Sequence, residues 1–157
     1  MTNSTDPYEN LRALGLTLPT PRQPVANFVA AMRDHDRIYL SGQAPRDEAG
    51  LRTGKVGRDF TAEEAYFHAR LAGLNLLAVL EAELGTLHRV RQVLKVLGMI
   101  NAVPEFSAHP QVMNGCSDLF MAVFGPEVGR HARSAVGMAS LPSNISVEIE
   151  ATVAVDD

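Results

Sequence analysis

The 157-residue sequence holds one cysteine, Cys116, and only 14 Lys and Arg against 18 Asp and Glu. A lone cysteine excludes an internal disulfide and a cysteine-rich metal site. The net charge is −4, and the cations are scattered. The chain therefore lacks the basic stripe that marks a nucleic-acid binder, and no nucleic-acid partner is expected. No apolar run reaches the roughly 18 residues a membrane-spanning helix needs. The N-terminal stretch "MTNSTDPYENLRALGLTLP" has no basic segment followed by an apolar core, so it does not read as a secretory leader. Cytoplasmic residence without a membrane partner is the expectation. G-x-G-x-x-G, Walker and H-E-x-x-H motifs are missing, and His35, His68, His88, His109 and His131 show no metal-ligand spacing. No metal and no cofactor is expected.

What remains is an ordinary globular composition, 46% hydrophobic and 20% charged, at a length that fits one core. Asp6, Pro7 and Gly15 bracket a short helix over 6–16. Three prolines in 17–24 impose extended chain. Strands are expected at 25–32 and 37–43, joined by a polar turn, with a long surface loop over 44–60. Thr61 and Glu64 make a capping box. Behind it Ala65, Ala69, Ala72, Leu76, Leu80 and Leu84 form an apolar helical stripe that Gly85 closes. A strand over 90–103 and a helix over 111–125, stopped at Gly125-Pro126, follow. Last comes "HARSAVGMASLPSNISVEIEATVAV" (131–155), which reads as two strands in a hairpin around "LPSN". Beyond the first helix the order is ββαβαββ, an α+β mixed sheet with two helices on one face. Apolar residues such as Val136 and Met138 are left for the other face, and a homo-oligomer is expected to cover them.

Three charges interrupt the apolar last stretch: Arg133, Glu148 and Glu150. Arginine offers five donors in a planar fork matched to a carboxylate. In a hairpin turning at 141–145, Arg133 faces Val153. A salt bridge to Glu148 or Glu150 is the plain alternative; the register weakens it within one chain, since Arg133 then lies about 16 Å along the strand from Glu148, although the two can meet across a subunit boundary. Ser134 is separated from a base at His131 by strand alternation. Cys116, inside a helix, reads as a small core residue.

"ARSAV…LPSNISVEIEA", with "YLSGQ" and the helix carrying Asn114, resembles the RidA (YjgF, reactive intermediate deaminase) family, whose pattern is R-S-x-V-x-V-x-x-L-P-x-x-x-x-V-E-I-E-A. The resemblance covers 24–155, leaving 1–23 as an N-terminal helix and extended segment ahead of a RidA-like domain over 24–157. It resembles a longer subgroup of that family. The resemblance implies a chorismate-mutase-like fold, a homotrimer with a central barrel of sheets, and clefts between subunits. It also implies hydrolysis of 2-imino or enamino acids to 2-keto acids and ammonia without a cofactor. By motif, Arg133 matches the arginine that binds the substrate carboxylate, and Glu148 the acid beside the attacking water. Asn114 matches a cleft asparagine, and Ser41 and Gly42 the loop whose backbone faces the ligand. Ala135 stands where cysteine is common and supplies a backbone amide. Val25 stands where many deaminating members carry tyrosine. A trimer that binds small carboxylates without catalysis is the alternative. Ribonuclease activity, a label some members carry, fits the acidic charge least.

Overall fold

The computed structural model describes residues 5–156; the first four residues of the expected N-terminal segment and Asp157 lie outside them. Asp6 caps helix α1 (Pro7–Ala13), its carboxylate accepting from the Tyr8 N–H at 2.8 Å. The helix lies on the outer helical layer. The Tyr8 hydroxyl accepts the Leu87 N–H at 2.8 Å, and Asn10 Nδ2 donates to the Val123 carbonyl at 2.9 Å.

Strands β1 (Ala31–Asp34), β2 (Arg37–Gln43), β5 (Val90–Asn101), β6 (Ala132–Met138) and β7 (Val147–Val155) form one sheet in the order β1-β2-β7-β5-β6. β5 and β6 are parallel and the other neighbours antiparallel. Helices α2 (Ala62–Leu84) and α3 (His109–Val128) pack together on one face. This is the chorismate-mutase-like α+β fold expected, with α1 as a third helix. The capping box at Thr61 and Glu64 forms in full, and Gly85 ends α2 in the left-handed region at φ 78°. Every residue of the expected α2 stripe is buried. Small residues let the two helices approach closely. A Cβ on Gly115 would run into the Tyr66 carbonyl oxygen.

Four expectations need correction. The first strand begins at Ala31, not at 25, because 25–28 turn on themselves with the Phe28 N–H bonded to Ala26 O. The 44–60 loop contains a two-stranded ribbon, β3 (Arg46–Asp47) and β4 (Gly50–Leu51). Gly125-Pro126 breaks α3 without ending it. Gly125 sits at φ 80° and a further turn runs to Val128.

The fourth correction bears on the site. Residues 131–155 are not a hairpin. β5 lies between β6 and β7, so Arg133 stands beside Val96, which faces Ala151, and not opposite Val153. The "LPSN" segment is a crossing rather than a tight turn. It forms a 3-10 turn with Ser143 and Asn144 at positive φ, stitched to the preceding loop by Gly54 N–H to Asn144 O and Ser146 N–H to Arg52 O. A short hairpin turn such as 141–145 pairs its two arms directly and leaves no room for a third strand. The connection from Met138 to Val147 is longer and passes over the end of β5.

The face of the sheet away from the helices carries Met32, Tyr39, Lys95, Leu97, Met99, Ser134, Val136, Glu148 and Glu150, placed by strand alternation.

Candidate active site

Arg133 is the second residue of β6, on the sheet's edge, with its side chain on the helix side. Nη1 donates to Asn114 Oδ1 and to Ser117 Oγ, both at 3.0 Å, and Nη2 donates to the Pro110 carbonyl at 3.3 Å. All three acceptors belong to α3 and all are neutral. Asn114 and Ser117 are three residues apart and so share one helix face. No acid pairs with Arg133 among the described residues. A guanidinium has five N–H donors, and three are committed, leaving two for a ligand. Ala135 lies two residues along β6, on the same side as Arg133, and packs against the core.

Glu148 belongs to a different part of the molecule. It lies on the open face of β7, half-buried, with no hydrogen bond or ion pair to a described residue. Burial pushes its carboxyl above the ordinary value, and the neighbouring Glu150 adds to the rise. Opposite it, β2 carries a bulge. Leu40 pairs with Ala151 and Gln43 with Ile149, so one extra residue is accommodated on β2. The bulge brings Gly42 against Glu148, where any Cβ would collide with the carboxylate. Glycine is therefore required for this approach. Ser41 is tied down beside it, its Oγ donating to Val29 O at 2.7 Å.

The expected residues thus fall into two groups. Arg133, Asn114 and Ala135 gather at the β6–α3 edge, and Glu148, Ser41 and Gly42 at the β7–β2 bulge. Within one chain Glu148 faces Met99, three residues along β5 from Val96. With two strand spacings added, Arg133 and Glu148 are about 14 Å apart along the sheet. Their side chains leave opposite faces. Glu150 is exposed on the same open face as Glu148. Val25 is fully exposed at 102% and lines neither group.

Sequence reasoning missed Ser117 and weighed His131 only as a base for Ser134. Ser117 Oγ lies 2.9 Å from His131 Nε2, and His131 Nδ1 lies 2.7 Å from the Gly129 carbonyl. The signals were available. Ser117 follows Asn114 by three on a helix, and His131 precedes Arg133 by two in extended chain. Ser134, on the other face, receives a hydrogen bond from Lys95 Nζ at 2.9 Å. Cys116 is wholly buried, and burial raises its thiol well above the ordinary range. His68 is a satisfied core histidine, bonded to Ser146 Oγ at 2.9 Å and edge-on to Phe60. Among the described residues no group of three or more His, Cys, Asp or Glu is placed to hold a metal ion. No helix of the described residues is long and apolar enough to cross a membrane.

Residues 9–150 match the family described as "YjgF/chorismate_mutase-like, putative endoribonuclease". Protein TCP17 of Trypanosoma cruzi is 41% identical over 92% of this chain and 91% of its own. A 2-iminobutanoate/2-iminopropanoate deaminase of Dermatophagoides farinae is 31% identical over 90% of this chain and 95% of its own. The crystal structure of an Agrobacterium tumefaciens protein of unknown function superposes with a TM-score of 0.88 at 43% identity, covering 96% of this chain and 94% of that one. The chain belongs to the YjgF/RidA family.

Proposed function

We propose that this protein hydrolyses 2-imino and enamino acids to 2-keto acids and ammonia, in a homotrimer whose sites lie between subunits. The observation that carries the reading is the state of Arg133. Neutral oxygens of α3 hold it in place, and among the described residues no acid neutralises it and two of its N–H donors stay uncommitted. Such an arginine is preorganised for a carboxylate, the group every 2-imino acid carries. The Dermatophagoides farinae relative is named for this reaction.

An imine carbon is already electrophilic, so the site needs an anchor, a positioned water and a proton carrier. The water oxygen bonds to C2 while one of its protons passes to Glu148. Glu148 returns a proton to the nitrogen. The carbinolamine then collapses: Glu148 carries its hydroxyl proton to the nitrogen, the C–N bond breaks, ammonia leaves and the oxygen becomes the keto group. A carboxyl with a raised pKa suits both directions of transfer. Since Arg133 and Glu148 leave opposite faces of one sheet, the reading pairs Arg133, Asn114 and Ala135 of one copy with Glu148, Ser41 and Gly42 of another. Met32, Tyr39 and Val136 are 58%, 45% and 41% exposed on the open face, an apolar surface that trimer formation would cover.

A second reading is favoured by the exposure of Val25 and by Ala135, which together provide neither a phenol nor a thiol near Arg133. In it the same trimer binds small carboxylates without turning them over. An amino-acid oxidase generating imines, with semicarbazide trapping the survivors, separates the two. The deaminase reading expects the wild type to suppress semicarbazone formation and Arg133→Ala to lose at least about a hundredfold in kcat/KM. Suppression that Arg133→Ala leaves intact contradicts it.

A further inference from the structure

Arg133 does not stand alone on α3. Its Nη1 shares the Ser117 oxygen with His131, whose far nitrogen faces a backbone carbonyl. The direction of each hydrogen bond in this chain can be worked out. A carbonyl oxygen only accepts, so His131 Nδ1 carries the proton and donates it to Gly129 O. Burial pulls the His131 pKa below its ordinary value. The Gly129 hydrogen bond opposes that shift, and the Arg133 charge reinforces it. The ring is therefore neutral and its Nε2 has a lone pair. Ser117 must donate its single hydroxyl proton to that lone pair. The serine oxygen is then left with only acceptor capacity toward Arg133. Without His131, the hydroxyl could rotate its proton toward the guanidinium and lose that role.

We infer that Ser117 and His131 are positioning residues. The order Gly129 carbonyl, His131, Ser117, Arg133 fixes the serine hydroxyl as an acceptor, and the serine fixes the plane of the guanidinium for a bound carboxylate. Ser117 and Asn114 take both Nη1 hydrogens, so the guanidinium can rotate only by breaking two bonds. The free donors are thereby held in one orientation before the ligand arrives, which lowers the ordering cost of binding. The inference rests on the reading of Arg133 as a carboxylate anchor.

The probe is 2-oxobutanoate, a stable 2-keto acid, titrated calorimetrically into the full chain. Wild type is expected to bind, and Ser117→Ala and His131→Leu are each expected to weaken binding about tenfold. His131→Gln should bind within about threefold of wild type, since its amide oxygen accepts from Ser117 and its NH2 donates to Gly129 O. Thermal melts of the four proteins identify any variant that fails to fold. Nitrogen-15 NMR of wild type is expected to find the His131 proton on Nδ1. Wild-type affinity in Ser117→Ala overturns the positioning role and leaves the anchor standing. His131→Gln binding as weakly as His131→Leu, or a proton on Nε2, overturns it as well. Wild type that does not bind 2-oxobutanoate overturns the anchor reading and the positioning role together.

Discussion

Arg133 and Glu148 leave opposite faces of one sheet, separated by β5 and by three residues along it. Neither has an ionic partner among the described residues. Two opposite charges so placed contribute nothing to each other's stability, and each retains its capacity for something outside the chain. Their sequence spacing suggests neighbours in a hairpin, but the fold sends them apart.

Glu148 makes stability depend on pH. Its carboxyl is raised above the ordinary 4.5, by burial first and by Glu150 second. Between 4.5 and the raised value the native state keeps a proton that the unfolded state releases. Stability therefore falls as pH rises through that window, and the penalty is complete above it. Glu148→Gln should melt at a higher temperature than wild type at pH 7, and the difference should close below about pH 4.5. The acid limb of imine hydrolysis should move toward the ordinary carboxylate range in Glu150→Gln.

Gly115 holds the two long helices together. A Cβ there meets the Tyr66 carbonyl, which is backbone and cannot swing aside. Gly115→Ala should cost about 2–3 kcal/mol by overpacking, a fall of roughly 5–10 °C in melting temperature for a chain of this size. An unchanged melting temperature would show that α2 and α3 can separate cheaply.

The N-terminal helix packs against α3 and the 3-10 turn Leu87–Arg89, away from Arg133 and Glu148. Tyr8→Phe removes the acceptor of the Leu87 N–H and should destabilise the protein by about 1 kcal/mol while leaving turnover unchanged. A loss of turnover at full stability would place this helix at the cleft.

The helices were legible because their signals are local. Asp6-Pro7, Thr61-Glu64 and Gly85 act within one turn of the residues they govern, and each does so in the structure. The last strand pair was not legible, because which strand pairs with which depends on residues about 37 to 65 positions away. β7 carries buried residues at alternate positions and β5 does too. Each satisfies its backbone by sitting between two neighbours, a choice that no local pattern in 131–155 encodes. The site followed the same division. Arg133, Glu148 and Gly42 entered as candidates through the family resemblance and the charges in 131–155. Ser117 was missed, and His131 was set against Ser134 instead, because the Ser117–His131 hydrogen bond joins a helix to the chain entering β6, across a loop whose path local sequence does not fix.

The pairing of Arg133 with Glu148 across copies is tested most directly by mixing subunits. Arg133→Ala and Glu148→Gln proteins are each expected to be inactive. Unfolded together in equal amounts and refolded, they are expected to assemble trimers in which about a quarter of the interfaces carry an intact Arg133 facing an intact Glu148, if association is random and cyclic. About a quarter of the wild-type imine hydrolysis should return. If no activity returns from mixed trimers of verified composition, Arg133 and Glu148 do not share a site between copies, and the account is contradicted.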